Sequence, residues 1–128
     1  RVRNVSTKGW FKLIRFNKYS QQEHINAILQ KWSLIKEHIQ HGFEQKSEDV
    51  HSHMLQAISL YNRLLVEASE TNVFEANNVG EFEVLPLNGE ERYEFIVTYP
   101  SHYAAYRQLN ELFEETRKKM ARCRIQNK

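Results

Sequence analysis

The stretch GEFEVLPLNGEERYEFIVTYP, residues 80–100, decides the predicted fold, because it is the one part of the chain that does not follow a helical pattern. Apolar residues alternate with polar ones on both sides of the pair Asn88-Gly89, and this pair favours the positive φ angles of a tight reversal. The alternating apolar residues are Phe82, Val84, Tyr93, Phe95, Val97 and Tyr99. The pattern predicts two antiparallel strands that form a β-hairpin.

The predicted hairpin needs support from the rest of the chain, because two strands alone are only marginally stable in water. Pro86 has no N–H to donate to a β-ladder and therefore indicates an edge position. We expect one apolar face, formed by Phe82, Val84, Phe95 and Val97, to pack on helices. The rim is acidic, with Glu81, Glu83, Glu90, Glu91 and Glu94. Glu90 and Glu91 are therefore candidate contacts for a basic protein partner.

A first helix is predicted over residues 20–41. Ser20 and Glu23 have the spacing of a capping box, and Gly42 stands where a left-handed residue often ends a helix. An apolar stripe at helical spacing comprises Ile25, Ile28, Leu29, Trp32, Ile35 and Ile39. This pattern is typical of a helix that buries one face.

Two more long helices flank the predicted hairpin. One begins with Ser47 as its cap and runs to about Ser69, and its short connection to the first helix favours an antiparallel pair. The other follows Pro100, with Ser101 as its cap. Its narrow apolar seam comprises Tyr106, Leu109, Phe113, Thr116, Met120 and Cys123. On its surface, glutamates precede basic residues, so Glu114 with Lys118 and Glu115 with Lys119 are expected i, i+4 pairs.

Together these elements predict a mainly α fold with a small β element, of the α+β class. Three long amphipathic helices form a bundle, and the hairpin is inserted between helices two and three. Residues 10–16, WFKLIRF, could supply a third strand or a short helix, and both alternatives stay open. The predicted common core comprises Ile28, Trp32, Ile35, Met54, Ile58, Tyr61, Leu109 and Phe113.

Length and composition indicate one helical interaction domain over residues 1–128. The 18 basic and 16 acidic residues leave a net charge of +2, which by itself implies neither nucleic acid nor membrane. Cys123 is the only cysteine, which favours an intracellular protein of the cytoplasm or nucleus. Apolar runs are far shorter than the roughly 20 residues of a membrane span. The chain begins at Arg1 rather than Met, which suggests either a processed protein or a domain taken from a larger protein.

Candidate catalytic and metal-binding groups are weak. His38, His41, His51 and His53 could approach one another across a helical turn, but their spacing matches no zinc motif. Cys123 has no histidine partner in sequence, and the serines mostly stand where helix caps are needed. We therefore expect no enzymatic activity, no metal and no cofactor.

Basic residues gather at both ends of the chain. Near the start, Trp10, Phe11 and Phe16 are interleaved with Arg1, Arg3, Lys8, Lys12, Arg15 and Lys18. Near the end, the candidate nucleic-acid contacts are Arg117, Lys118, Lys119, Arg122 and Arg124. Basic residues with aromatic side chains for stacking are typical of RNA-binding or DNA-binding surfaces.

The functional expectation is a non-enzymatic protein–protein interaction or scaffolding module of a larger intracellular assembly. Amphipathic helices and an exposed strand edge are both surfaces on which other proteins dock. The alternative is an RNA-binding or DNA-binding module that uses the basic N-terminal segment and the C-terminal helix. The partner protein is not identifiable from the residues.

Overall fold

The computed structural model describes residues 12–126, and this part of the chain is helical, without strands or a sheet. Four α-helices are present in it: α1 (Gln22–Glu44), α2 (Val50–Glu67), α3 (Gly89–Thr98) and α4 (Tyr103–Gln126). A 3₁₀ helix, η1 (Ala76–Glu81), lies between α2 and α3. The three long helices of the sequence prediction are confirmed as α1, α2 and α4.

The long helices form a bundle in which α1 runs antiparallel to both α2 and α4. His24 near the start of α1 contacts Glu67 at the end of α2, with 2.8 Å between Nδ1 and Oε1. Arg124 near the end of α4 donates to the Ser20 hydroxyl just before α1. Since both partners run opposite to α1, α2 and α4 run parallel to each other.

One hydrophobic core lies between these helices, and it contains seven of the eight predicted core residues. The eighth, Ile35, is partly buried and packs against the core. The Trp32 and Phe113 rings stack, with their centroids 4.3 Å apart and their planes at 9°. The Tyr61 ring meets Phe113 edge to face, and its hydroxyl shares a 2.7 Å hydrogen bond with Thr116. Burial raises the pKa of Tyr61, so the phenol stays protonated.

The predicted helix ends of α1 are wrong in detail. Ser20 does not cap the helix, and no side chain bonds the first turn from the cap position. At the other end, Lys46 rather than Gly42 is the left-handed residue, with φ of 53°. The Lys46 and Ser47 N–H groups donate to Phe43 and Gly42 carbonyls, which is the Schellman ending. Gly42 lies within α1, where a Cβ atom would come 2.8 Å from Val50 Cγ2 of α2.

The predicted β-hairpin is wrong, and with it the α+β class. Residues 89–98 form helix α3, in which Tyr93 and Ile96, three apart, face the core. Val97, expected on the buried face of a strand, is 41% exposed. Ile96 falls on the polar side of the strand alternation, yet it is completely buried, so the helical period governs this segment. Glu90 and Glu91 occupy the first turn of α3, where negative charge suits the helix dipole.

The pair Asn88-Gly89 starts this helix instead of turning a hairpin. Asn88 has φ of 57°, so the expected left-handed residue is present, but Gly89 is already helical. A Cβ atom on Gly89 would lie 2.4 Å from Leu85 Cγ, which explains the glycine by close packing. The loop before α3 buries Phe82, Val84 and Leu85 against the bundle.

Residues 12–17 form an extended segment that lies between two other parts of the chain. Ile14 makes a parallel β-bridge with Phe82, and Phe16 makes an antiparallel bridge with Ser69. Both bridges are isolated, so the segment is extended without being part of a sheet. Of the WFKLIRF motif, Trp10 and Phe11 lie outside the described residues, as do Arg1, Arg3 and Lys8.

Candidate interaction surface

The two acidic candidates lie in the first turn of α3, not on a hairpin rim. Glu91 is exposed, whereas Glu90 is half-buried with its carboxylate against Gly80. Both line a shallow groove of about 530 Å³ that also includes Leu13 and Lys119. Contact with a basic partner stays a prediction for these two residues.

The five basic candidates of α4 do not form one surface. Lys118, Lys119 and Arg122 lie beside the loop that contains Leu85, Pro86 and Leu87. Arg117 and Arg124 line a different groove, against α1. A helix turns about 100° per residue, and this rotation separates cations that are close in sequence.

Three of these cations make contacts within the chain. The Lys119 ammonium donates to the Leu85 carbonyl at 2.9 Å. Arg117 pairs with Glu114 one turn earlier on α4, and this hydrogen bond lowers the pKa of the Glu114 carboxyl. Arg124 donates to the Ser20 hydroxyl at 3.1 Å, and its guanidinium lies 5.2 Å from the centre of the Phe16 ring.

Arg92 on α3 organises the polar contacts that hold α3 on α4. Its two terminal nitrogens donate to the two Glu115 oxygens, each at 3.0 Å, which is the bidentate geometry of a strong pair. The guanidinium also donates to Gln108 at 2.8 Å and to the Leu87 carbonyl at 3.1 Å. The predicted pairs of Glu114 with Lys118 and Glu115 with Lys119 are therefore replaced by pairs with Arg117 and Arg92.

An open apolar groove lies between α1 and α4. Its volume is about 470 Å³, and its floor contains the buried side chains of Ile25 and Met120. Leu29 is half-buried on one wall, and on the other Ala121 is exposed and Ile125 is 70% exposed. We refer to this feature as the α1–α4 groove. Its lining comprises Gln22, Ile25, Asn26, Leu29, Arg117, Met120, Ala121, Arg124 and Ile125.

Ala121 and Ile125 are site residues that were not predicted from the sequence. They are four residues apart on α4. Ala121 directly follows Met120 of the predicted seam, and Ile125 comes two residues after Cys123. The two side chains therefore extend the apolar side of the helix toward solvent. This second apolar row beside the Met120 and Cys123 seam is the signal that could have located the groove.

Aromatic side chains gather at the opposite end of the bundle. Phe43 meets Tyr103 edge to face with centroids 5.1 Å apart, and His38 stacks on His53 at 5.4 Å. The His51 ring nitrogen lies 3.0 Å from the Ser101 hydroxyl. The predicted approach of histidines therefore occurs for one pair. Within residues 12–126, no three His, Cys, Asp or Glu side chains are arranged to hold a metal ion.

Cys123 lies in the core seam of α4, where it is 4% exposed. Burial raises the pKa of its thiol, so the nucleophilic thiolate is disfavoured. Helices across the described range are all too short or too polar to cross a membrane.

This architecture defines the chain as a helical-bundle protein in which three long helices form the bundle and a short helix, α3, packs on α4 and contacts α2. Residues 22–128 match the model of the YpoC-like protein family, and the chain therefore belongs to that family. The match begins at the first residue of α1 and leaves out the extended segment of residues 12–17. No curated protein and no solved structure matches the chain.

Proposed function

We propose that this chain is a non-enzymatic protein-binding module of a larger intracellular assembly, and that the α1–α4 groove is its binding surface. The observation that supports this most is the groove itself, where apolar side chains stay accessible above a packed core. Helices from partner proteins commonly dock into grooves of this kind. The exposed Ile125 and the half-buried Leu29 supply apolar area that a partner would remove from water.

Other features of the chain support a binding role over catalysis. The one cysteine is buried with a raised pKa, and four of the six histidines contact another histidine, Glu67 or Ser101. The Trp32 and Phe113 stack joins α1 to α4 beside the groove, about one turn from Leu29 on α1 and from Arg117 on α4. A preformed surface loses little conformational entropy on binding. A single cysteine also suits a reducing compartment, the cytoplasm or the nucleus.

Ala121→Trp is expected to abolish partner binding by filling the groove with an indole ring. Ala121 is exposed, so the larger side chain needs no space in the core. The measurement is quantitative mass spectrometry of proteins retained from a cell extract by the immobilised chain. The retained amount of those proteins that bind through the groove should fall by about tenfold or more, as expected when a binding pocket is blocked.

Ala104→Trp is the matched control, because Ala104 is also exposed on α4 but lies outside the groove. It should retain the same proteins as the unmodified chain. Circular dichroism should show equal melting temperatures for the two variants. Equal recovery of every retained protein by both tryptophan variants would contradict the proposal.

A second candidate function, RNA or DNA binding, is favoured by the cluster of Lys118, Lys119 and Arg122 around residues 85–87. If this reading holds, replacing Arg117, Lys118, Lys119, Arg122 and Arg124 with glutamine should weaken binding to all sequences and flatten its salt dependence. A charge-matched control replaces Lys31, Lys36, Lys46, Arg63 and Arg107, which lie outside both basic ends of the chain. Electrophoretic mobility shift at low salt measures both variants, and no shift by the intact chain would end this alternative.

A further inference from the structure

We infer that the α1–α4 groove accepts an amphipathic helix of a partner protein that carries carboxylates beside its apolar stripe. This inference rests on the proposed function and specifies the chemistry of the partner. It is carried by the charges that line the groove and by their spacing along α4.

The dimensions of the groove suit a helix of two to three turns. From Arg117 to Ile125, α4 advances about 12 Å at 1.5 Å per residue. Three apolar anchors at positions i, i+4 and i+7 of a partner helix span about 10 Å on the same measure. Ile25 and Met120 on the floor and Leu29 on one wall offer apolar contacts for such anchors.

The charges of the groove are of one sign. Arg117 and Arg124 line it, and no carboxylate is among its described lining residues. On the α1 wall, Gln22 and Asn26 are neutral and share a 2.9 Å hydrogen bond. By contrast, the open groove along residues 12–15 places Glu70, Glu75 and Glu81 opposite Lys12 and Arg15. The α1–α4 groove is thus complementary to an acidic ligand.

The two arginines are seven residues apart, which places them on the same side of α4 two turns from each other. Arg124 is held in position by the Ser20 hydroxyl and the Phe16 ring. Arg117 is exposed and pairs with Glu114 on the same helix. This pair is weak, because solvent screens ion pairs between exposed side chains. It can turn to a partner carboxylate, and guanidinium groups bind carboxylates in a bidentate manner. The expected ligand therefore carries Asp or Glu at positions seven apart.

The test uses two synthetic helical peptides of roughly 18 residues, a length at which alanine-rich helices are appreciably populated. Both carry the same leucine stripe at i, i+4 and i+7. One has glutamates at two flanking positions seven apart, and the other has lysines there. Fluorescence anisotropy measures the binding of each labelled peptide to the full chain. We expect the acidic peptide to bind about tenfold more tightly than the basic one.

The variant Arg117→Glu should remove or reverse this preference. Arg107→Glu is its matched control, an exposed arginine of α4 outside the groove, and should keep the preference. Because Arg117 is exposed, its replacement is expected to leave the melting temperature unchanged. Arg124→Gln should also weaken binding of the acidic peptide. This variant loses the contact with Ser20 and could be less stable, so the comparison of Arg117→Glu with Arg107→Glu decides the test.

Several results would overturn the inference. They are tighter binding of the basic peptide, no binding of either peptide, or equal effects of Arg117→Glu and Arg107→Glu. A concentration-dependent dimer that Ala121→Trp abolishes would also overturn it, because the occupant would then be a second copy of the chain. If one of these results is obtained while Ala121→Trp still reduces the proteins that the chain retains from the extract, the protein-binding proposal stands. Only the inference of an acidic helix as the ligand then fails.

Discussion

Replacing Trp32 with alanine is expected to lower the free energy of unfolding by about 3 to 5 kcal/mol. Trp32 is 5% exposed and lies between α1 and α4, with its ring stacked on Phe113 at 4.3 Å. The substitution removes an entire indole ring from a packed core, and the surrounding helices can only partly fill the cavity. It also removes the aromatic stack that joins α1 to α4.

Urea denaturation followed by circular dichroism measures this loss as a change in midpoint at constant slope. Leu34→Ala is the control on the same helix, because Leu34 is 62% exposed. Its effect should stay within about 0.5 kcal/mol, as for other surface substitutions. A Trp32→Ala effect as small as that of Leu34→Ala would show that the α1 and α4 packing is wrong.

Arg92→Ala is expected to cost about 2 to 3 kcal/mol of folding stability, the scale of lost hydrogen bonds to a charged group in a partly buried site. The Arg92 side chain is 18% exposed and bonds Glu115, Gln108 and the Leu87 carbonyl. Its loss leaves Glu115 without its bidentate partner and frees the loop before α3. Arg92→Lys should recover only part of the stability, because an ammonium group cannot make the two parallel bonds.

The pH dependence of stability provides an independent check on this pair. The hydrogen bonds from Arg92 lower the pKa of the Glu115 carboxyl below its ordinary value. The contribution of the Arg92–Glu115 pair to stability is therefore complete above the pKa of about 4.3 that Glu115 has in the unfolded chain. It is lost as the pH falls through the lower pKa of Glu115 in the folded chain. The stability gap between the unmodified chain and Glu115→Gln should narrow as pH falls below about 4. A gap that is unchanged between neutral and acidic pH would contradict this role of the pair.

The long helices were predictable because each presents a strong apolar stripe at a single period. In α2, the predicted core residues Met54, Ile58 and Tyr61 are buried in the structure. The end of α1 was less predictable. Its left-handed residue is Lys46, and a lysine carries no sequence signal for that conformation. Gly42, which carries the usual signal, instead permits the close approach of Val50.

The sequence predicts a strand over residues 93–99, a segment in which two periods coexist. Tyr93 and Phe95 fit an alternation, and Tyr93 and Ile96 fit a helix, so short-range pattern does not separate the two. Asn88-Gly89 then favoured the hairpin, although a left-handed Asn can equally precede a helix. Packing against Asn62 and Glu115 decides the outcome, and that information is not local in sequence.

The α1–α4 groove was only partly predictable from the sequence, for a similar reason. Its walls come from residues 22–29 and 117–125, which are far apart in the chain. The basic residues of α4 were visible as a cluster in sequence. Their separation into Arg117 with Arg124 on one side and Lys118 with Lys119 on another depends on which face of α4 the bundle buries.

The parallel course of α2 and α4 constrains the path of the chain that joins them. A connection between parallel helices must travel back along the bundle, since α2 ends beside the end of α4 and not beside its start. From Lys119, which contacts Leu85, back to Tyr103, α4 covers about 24 Å at 1.5 Å per residue. A β-hairpin returns the chain close to where it began, whereas α3 runs opposite to α4 and carries the chain along about 15 Å of this distance. Helix α3 thus forms part of the crossover connection between α2 and α4. A hairpin in its place would not carry the chain along this distance.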